Sequence, residues 1–256
     1  MINWPLAALE ITTPRLRLHL PSPAELDQLA GLAAGGVHEP RRQPFTVAWT
    51  DGEPEVVARR VLQYVWGTWA RWVPEDWSLW LAVVHDGVVI GSQDVSGRDF
   101  AVRREVSTGS WLGRDFHGQG FGTEMRAAVL HLAFAGLGAR YAVSGAYVDN
   151  AASLGVSRKL GYRDDGVEHH AVRGTDATLR RLRLTRADWQ AHRSVEVRID
   201  GLEACLPMFG VPSSGSASDP GTASDTASAP DTVLPAPSRR RPPSTPPPGP
   251  GIRGRR

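Results

Sequence analysis

A single cysteine, Cys205, stands in the 256 residues, which excludes an internal disulfide and a cysteine metal cluster. Lysine is as scarce: Lys159 is the only one among 29 basic residues, a bias that reads as codon usage. No run of 18 or more apolar residues occurs, and the N-terminal MINWPLAALE lacks a basic region followed by an apolar stretch. Neither a membrane span nor a signal peptide is therefore expected, and the reading is cytoplasmic. No lysine follows the glycines at 118, 120 and 122, so a Walker loop is excluded. A dinucleotide fingerprint also fits poorly. Counting G-x-G-x-x-G from Gly118 puts Thr123 at the third glycine, counting from Gly120 puts Met125 there, and no acidic residue lies about 20 positions on to hold a ribose. No metal is expected, since the adjacent His169 and His170 cannot share one from a single strand face.

What is present fits one domain with a tail. The 41% apolar content is ordinary for a globular chain long enough to bury a full core. From Val211 to Arg256 the composition shifts to Pro, Ser, Thr, Ala and Gly, which cannot bury enough surface to order itself. Residues 1–210 are thus read as the domain and 211–256 as a disordered tail. The tail holds three acidic and six basic residues, a net of +3, so the rest of the chain carries about −1 of the total +2. Its arginines, Arg239 to Arg241 with Arg253, Arg255 and Arg256, lack interleaved aromatics and are a weak signal for nucleic acid or an acidic membrane. A solvated tail is the expectation.

The first elements are marked by period and caps. TTPRLRLHL alternates Leu16, Leu18 and Leu20 against Arg15, Arg17 and His19, as a half-buried strand does. Ser22-Pro23-Ala24-Glu25 is a capping box opening a helix with Leu26, Leu29, Ala30 and Ala33 on one face, closed by Gly35 and Gly36. Val37 to Gly52 has no period and reads as a loop. Pro54 to Trp72 reads as a second helix, stopped by Pro74. Five tryptophans lie between Trp66 and Trp80; core packing is the favoured reading, with an aromatic acceptor pocket as the alternative. Asp86-Gly87 joins two strands between Trp77 and Val95 as a tight hairpin, and REVSTGSWL supplies the next strand.

That strand leads into SWLGRDFHGQGFGTEMRAAVLHLAF, Ser110 to Phe134, around which the chain is organised. Gly118, Gly120 and Gly122 free the backbone to turn successive amides toward one point at a helix N-terminus, where partial positive charge collects. Met125, Ala128, Val129, Leu132 and Ala133 then give the helix an apolar face. That geometry suits a pyrophosphate. Downstream, ARYAVSGAY reads as a strand, Asn150 to Leu160 as a short helix closed by Gly161, His169 to Val172 and Leu179 to Leu184 as strands, and Thr185 with Asp188 as the cap of a last helix.

From Leu9 to Trp189 the sequence resembles the GCN5-related N-acetyltransferases. HGQGFG is similar to their acetyl-CoA loop, (Gln/Arg)-x-x-Gly-x-(Gly/Ala), with His117 where the family has Gln or Arg. DNAASLGVSRKLGY, Asp149 to Tyr162, resembles their Asn-x-x-Ser…Lys-x-Gly-(Phe/Tyr) segment. Trp111-Leu112, Glu124, Asn150 and Ser153 look most like the branch of ribosomal-protein alanine N-acetyltransferases. The resemblance implies an α/β fold: one domain with a mixed, mostly antiparallel sheet flanked by helices. It implies acetyl-CoA as co-substrate, held by Trp111, Leu112, His117, Gly118, Gln119, Gly120, Phe121, Gly122, Thr123 and Asn150, with the amides of Gln119 to Thr123 on the pyrophosphate. The acceptor would be a primary amine of a protein N-terminus or of a small molecule; a non-catalytic acyl-CoA-binding module is the alternative.

Many family members use a tyrosine as acid where this chain has Ser157, so the resemblance passes that role to Ser153, which as a helix first-turn serine bonding backbone would be merely structural. Asn150 either orients the pantetheine or caps the helix. For the base, Glu105 on the strand before the glycine turn is the residue carried forward, beside His38, Glu39, His169 and His170. The oligomeric state is left open.

Overall fold

The run from Trp77 to Val84 is apolar at nearly every position, and the computed structural model, which describes residues 2–212, shows why. Strand β3 (Asp76–His85) is buried on both faces: Trp77, Leu79, Leu81 and Val83 enter one core layer while Trp80, Ala82 and Val84 enter the other. A strand covered on both sides has no solvent face to alternate toward. It pairs with β4 (Val88–Arg98) through Asp86 (φ 47°) and Gly87 (φ 78°), the two left-handed residues of a tight hairpin turn.

The remaining elements are β1 (Glu10–Thr12), β2 (Arg17–His19), α1 (Pro23–Ala34), α2 (Pro54–Ala70), α3 (Phe100–Arg103), β5 (Glu105–Leu112), α4 (Phe121–His131), β6 (Tyr141–Tyr147), α5 (Ala151–Lys159), β7 (Arg163–Val172), β8 (Thr175–Thr185), α6 (Arg186–His192) and β9 (Arg198–Asp200). They build one sheet in the order β7-β8-β6-β5-β4-β3-β2-β1-β9. Every pairing is antiparallel except β5 with β6, which is parallel and spans only Glu105–Ser107 against Tyr141–Val143. Beyond Ser107 the two strands stop pairing, while β5 continues on β4 and β6 on β8. The gap that opens there positions the site. Helices α1 and α2 cover one face of the sheet; α4 covers the other, extended by a π-helical turn over Leu132–Gly136.

The local signals account for most boundaries. Ser22 Oγ accepts from the Glu25 amide (3.3 Å) while Glu25 accepts from the Ser22 amide (2.8 Å), a reciprocal cap with Pro23 behind it. Thr185 caps α6 by accepting from the Asp188 amide. Of the expected first strand, Arg17–His19 pairs with β3 as β2, and a further strand that was not expected, Glu10–Thr12, pairs antiparallel with it. The alternation is real, since Leu16 and Leu18 are buried, but it does not mark where pairing begins. Helix α2 ends at Ala70, two residues before Trp72. Strands β7 and β8 are longer than their apolar cores suggest.

Three features had no periodic signal: α3, β9, and a 3-10 turn over Glu203–Phe209 that buries Cys205, Leu206 and Phe209. Phe209 stands edge-on to Trp77 and Trp72, at 4.9 and 5.5 Å between ring centroids, so tertiary contact rather than propensity holds this turn. Burial pushes the Cys205 thiol up to about 11, which leaves it a core side chain rather than a nucleophile. Val211 still packs on this layer, one residue past the expected domain end. The rest of the expected tail, residues 213–256, lies outside the described residues. Among the described residues no helix is long and apolar enough to cross a membrane.

Candidate functional site

The chain leaves β5 at Leu112 and passes through a 3-10 turn, Arg114–Phe116, into the glycine stretch. His117 Nε2 donates to the Leu112 carbonyl (3.0 Å), so the residue that departs from the Gln/Arg pattern ties the turn to the strand end. Gly118 (φ 75°) and Gly120 (φ 86°) occupy the left-handed region, and Gly120 is the N-cap of α4. The Thr123 and Glu124 amides close on the Gly120 carbonyl at 3.1 and 3.2 Å. Thr123, counted among the pyrophosphate donors, therefore spends its amide inside the helix; Phe121 and Gly122, in the first turn, have no intrahelical acceptor for theirs. The Phe121 side chain is buried beneath the turn, and Gln119 folds its carboxamide back on the Asp115 carbonyl (2.7 Å), so these two offer backbone only.

Glu124 braces the turn from below. Buried, it accepts from Thr13 Oγ1 (2.7 Å), from the Arg15 amide (3.0 Å) and from Arg15 Nε (2.7 Å), while Arg15 Nη1 donates to the Gln119 carbonyl (3.1 Å) and the guanidinium lies 4.5 Å over the Phe121 ring. The hairpin β1–β2 is thereby fastened to the first turn of α4.

One large cleft, of about 1430 Å³, runs from this turn to the opposite side of the sheet. Gly118, Gly120, Gly122 and Thr123 line its near end with the cations Arg114 and Lys159; Thr108 to Leu112 of β5 and Ser144 and Gly145 of β6 line its middle, where the strands no longer pair. Trp111 and Leu112, which the resemblance assigns to the cofactor, are among these lining residues. Asn150 and Ser153 also line the cleft, and Asn150 Oδ1 accepts from the Ser153 amide (3.1 Å), so Asn150 caps α5. Ser157, at the family's tyrosine position, is buried and accepts from Arg126 Nη1 (2.9 Å).

The far end is aromatic and acidic. Residues 37–52 form a strap whose end is held by Arg173 of the β7–β8 turn, through Asp51 (2.6 Å) and the Pro40 carbonyl (2.9 Å). Hydrogen bonding from Arg173 holds the Asp51 carboxyl below its usual range. The strap delivers Phe45 and Trp49 to a wall that continues through Trp111, Trp80 and Tyr64, with successive centroids 5.0, 5.7, 6.4 and 6.1 Å apart. Of the five tryptophans between Trp66 and Trp80, only Trp80 belongs to this wall; Trp72 and Trp77 stack in the opposite core layer, as the packing reading expects.

Asp94 of β4 stands in the cleft beside this wall. Its carboxylate lies so close to the β5 backbone that a Cβ on the facing Gly109 would sit 2.5 Å from Oδ1, which is why that position is glycine. Burial pushes the Asp94 carboxyl up to about 6, against the opposing pull of the Arg126 guanidinium and of the Asp94 and Gly109 amides. Arg126 is itself buried, donates also to Ser110 Oγ (3.3 Å), and keeps an unpartnered Nε. Burial lowers its pKa, a shift opposed by Tyr162 and Asp94.

Sequence reasoning missed Asp94 and Arg126. The signal for the first was a carboxylate in mid-strand inside a buried hairpin; for the second, an arginine beside the apolar face of a helix gives none. Glu105 is a correction. It sits at the start of β5, away from the cleft, and its carboxylate is taken by Arg103 (2.6 Å) and Arg183 (2.8 Å). His169 and His170 also lie outside the cleft, pairing with Asp176 and Glu168. His38 and Glu39 line it, but His38 Nε2 is bonded to Thr50 Oγ1 (2.8 Å).

Solved structures with this fold include Mycobacterium smegmatis RimJ in complex with CoA-disulfide, 16% identical over 75% of this chain and 98% of that one, with a TM-score of 0.61. A GCN5-related N-acetyltransferase from Brucella melitensis is 19% identical over 72% and 81%, TM-score 0.57. RimL, a ribosomal L7/L12 alpha-N-protein acetyltransferase in complex with coenzyme A, is 17% identical over 68% and 95%, TM-score 0.55. The sequence model of the acetyltransferase (GNAT) domain matches residues 15–163, which contain the glycine turn, the parted strands and the capped α5, and the chain belongs to the GNAT family of N-acetyltransferases.

Proposed function

We propose that this N-acetyltransferase transfers the acetyl group of acetyl-CoA to a primary amine by direct attack on the thioester, with no covalent enzyme intermediate. The observation that carries this reading is the continuity of the cleft: an anion-binding helix start at one end, an acid-containing aromatic chamber at the other, and unpaired strand backbone between them. The first-turn amides of α4 suit the pyrophosphate, and Arg114 and Lys159 add positive charge on the same side. Backbone N–H groups of β5 beyond Ser107, no longer shared with β6, are available to polarise the thioester carbonyl.

The acceptor ammonium must first give up one proton to expose its lone pair. As nitrogen then bonds the acetyl carbon and the carbon–sulfur bond breaks, a second proton leaves the nitrogen for solvent and the departing thiolate gains one. Asp94 is suited to take the first, because a carboxylate with a pKa raised to about 6 is a stronger base than an ordinary one and is still ionised at neutral pH. Ser153, on the cofactor side of the cleft, is suited to supply the thiolate's proton. A cysteine route is closed, because Cys205 is buried in the opposite core layer and does not line the cleft. The acceptor amine comes from a protein N-terminus or a small molecule; the likeness to RimL, a ribosomal L7/L12 alpha-N-protein acetyltransferase, favours the former class.

The test is thiol release from acetyl-CoA over a panel of amines and N-terminal peptides, with calorimetry for acetyl-CoA itself. Turnover with at least one amine is expected. Binding without any turnover would instead favour a non-catalytic acyl-CoA module, and no binding would remove the reading altogether.

A further inference from the structure

We infer that the acceptor is a primary ammonium carried within a few bonds of a flat apolar group, its nitrogen at Asp94 and its apolar part against the wall formed by Trp49, Trp111, Trp80 and Tyr64. The inference rests on the acetyl-transfer reading and names the substrate class of the same site. Three observations converge on it. The wall is continuous, and Trp80 and Trp111 are 6% and 9% exposed, so the rings are fixed surfaces rather than mobile covers. An indole face attracts both flat apolar groups and cations.

The carboxylates at this end offer an ammonium its partner. The two strap-side arginines are already committed to backbone carbonyls, Arg60 to Trp49 and Asp51 and Arg42 to Asp149, and Arg126 donates to Ser110 and Ser157. Asp94 and Glu39 are the carboxylates among the groups lining the cleft, and Asp94 stands directly across the β3–β4 pairing from Trp80, so an ammonium held by it lies at the wall. Finally, the Asp94 carboxylate is seated against Gly109, two residues from Trp111 on β5, so the acid and the indole are presented side by side by one strand pair.

Two sources share this chemistry: a free amine and the N-terminal residue of a peptide. The experiment compares 2-phenylethylamine, n-butylamine, and two otherwise identical peptides beginning with Phe or Ala, by kcat/KM for thiol release. In parallel, quenching of intrinsic tryptophan fluorescence reads binding of 2-phenylethylamine and of the anion 3-phenylpropionate without turnover. The aromatic member of each usable pair should lead by about tenfold or more, and the anion should not bind. Which pair is turned over tells the free amine from the peptide.

Tyr64→Ala, which changes a half-exposed side chain and spares the fold, should lower kcat/KM for 2-phenylethylamine several-fold more than for n-butylamine. Asp94→Asn should weaken binding of 2-phenylethylamine at least several-fold. Equal kcat/KM within both pairs, or binding of the anion as tight as that of the amine, would overturn the inference and leave acetyl transfer standing. Amine binding without transfer to any acceptor would do the reverse.

Discussion

The two ends of the cleft are built in opposite ways. The cofactor end comes from two short continuous stretches, Trp111 to Thr123 and Asn150 to Lys159, and much of what it offers is backbone: amides of a helix start, freed by glycines and backed by Glu124. The aromatic end, proposed to take the acceptor, comes from five separate places, the strap, α2, β3, β4 and β5, and what it offers is side chains. A backbone site needs only local geometry, so one chain segment suffices. A side-chain site needs positions remote in sequence to converge, and its specificity is set by which residues they happen to be.

If the ends are separable, a change at one should leave the other intact. The largest effect is expected from Gly120→Glu, which adds bulk and negative charge where the helix start would meet pyrophosphate, at a φ of 86° that disfavours any side chain. Acetyl-CoA binding should fall below detection by calorimetry, while 2-phenylethylamine still quenches tryptophan fluorescence. Loss of both would show that the ends fold as one unit.

Asp94→Asn attacks the other end. Acetyl-CoA should bind normally and acetyl transfer should fall by ~10²- to 10⁴-fold, the range of general base assistance. In the parent, kcat/KM should rise with pH through about 6 as Asp94 ionises, and the variant should lose that limb. The same substitution separates stability from activity. Because the folded pKa is raised, the folded state holds the Asp94 proton more tightly than the unfolded chain. Stability is therefore full below about 4 and declines as pH rises through about 6. The asparagine variant, which has no charge to bury, should melt higher than the parent at pH 7.5, by up to ~3 kcal/mol, and gain little at pH 4. An equal difference at both pH values would show that the carboxylate is not desolvated.

The same contrast explains what could be read from the sequence. The order of the main elements, the capping box at Ser22, the Asp86-Gly87 hairpin and the glycine turn were legible, because each depends on residues within a few positions of one another. The short strands β1 and β9 and the 3-10 turn around Cys205 were not, since they exist through pairing and packing with other segments. Glu105 looked available because a strand position says nothing about the arginines waiting at its end; Arg103 and Arg183 are what occupy it. Asp94 and Arg126 were hidden for the complementary reason: polar residues in buried elements become informative only once the gap between β5 and β6 is known.

The smallest effects are expected where the two kinds of construction meet, at the start of α5. Asn150 Oδ1 holds the Ser153 amide, so Asn150→Ala removes a helix cap and should cost on the order of 1 kcal/mol of stability. Ser153→Ala leaves that cap in place, because the bond uses the Ser153 backbone and not its hydroxyl. The two variants therefore separate structure from chemistry at adjacent positions. If the hydroxyl supplies the thiolate proton, Ser153→Ala should slow single-turnover acetyl transfer toward the lower end of the ~10²- to 10⁴-fold range, since a thiolate needs less help than an alkoxide or an amide anion. Its melting point should match the parent. Asn150→Ala should show the opposite pair of results, a lowered melting point with transfer per folded molecule nearly unchanged. An unslowed Ser153→Ala would remove the serine from the reaction and leave thiolate protonation to solvent.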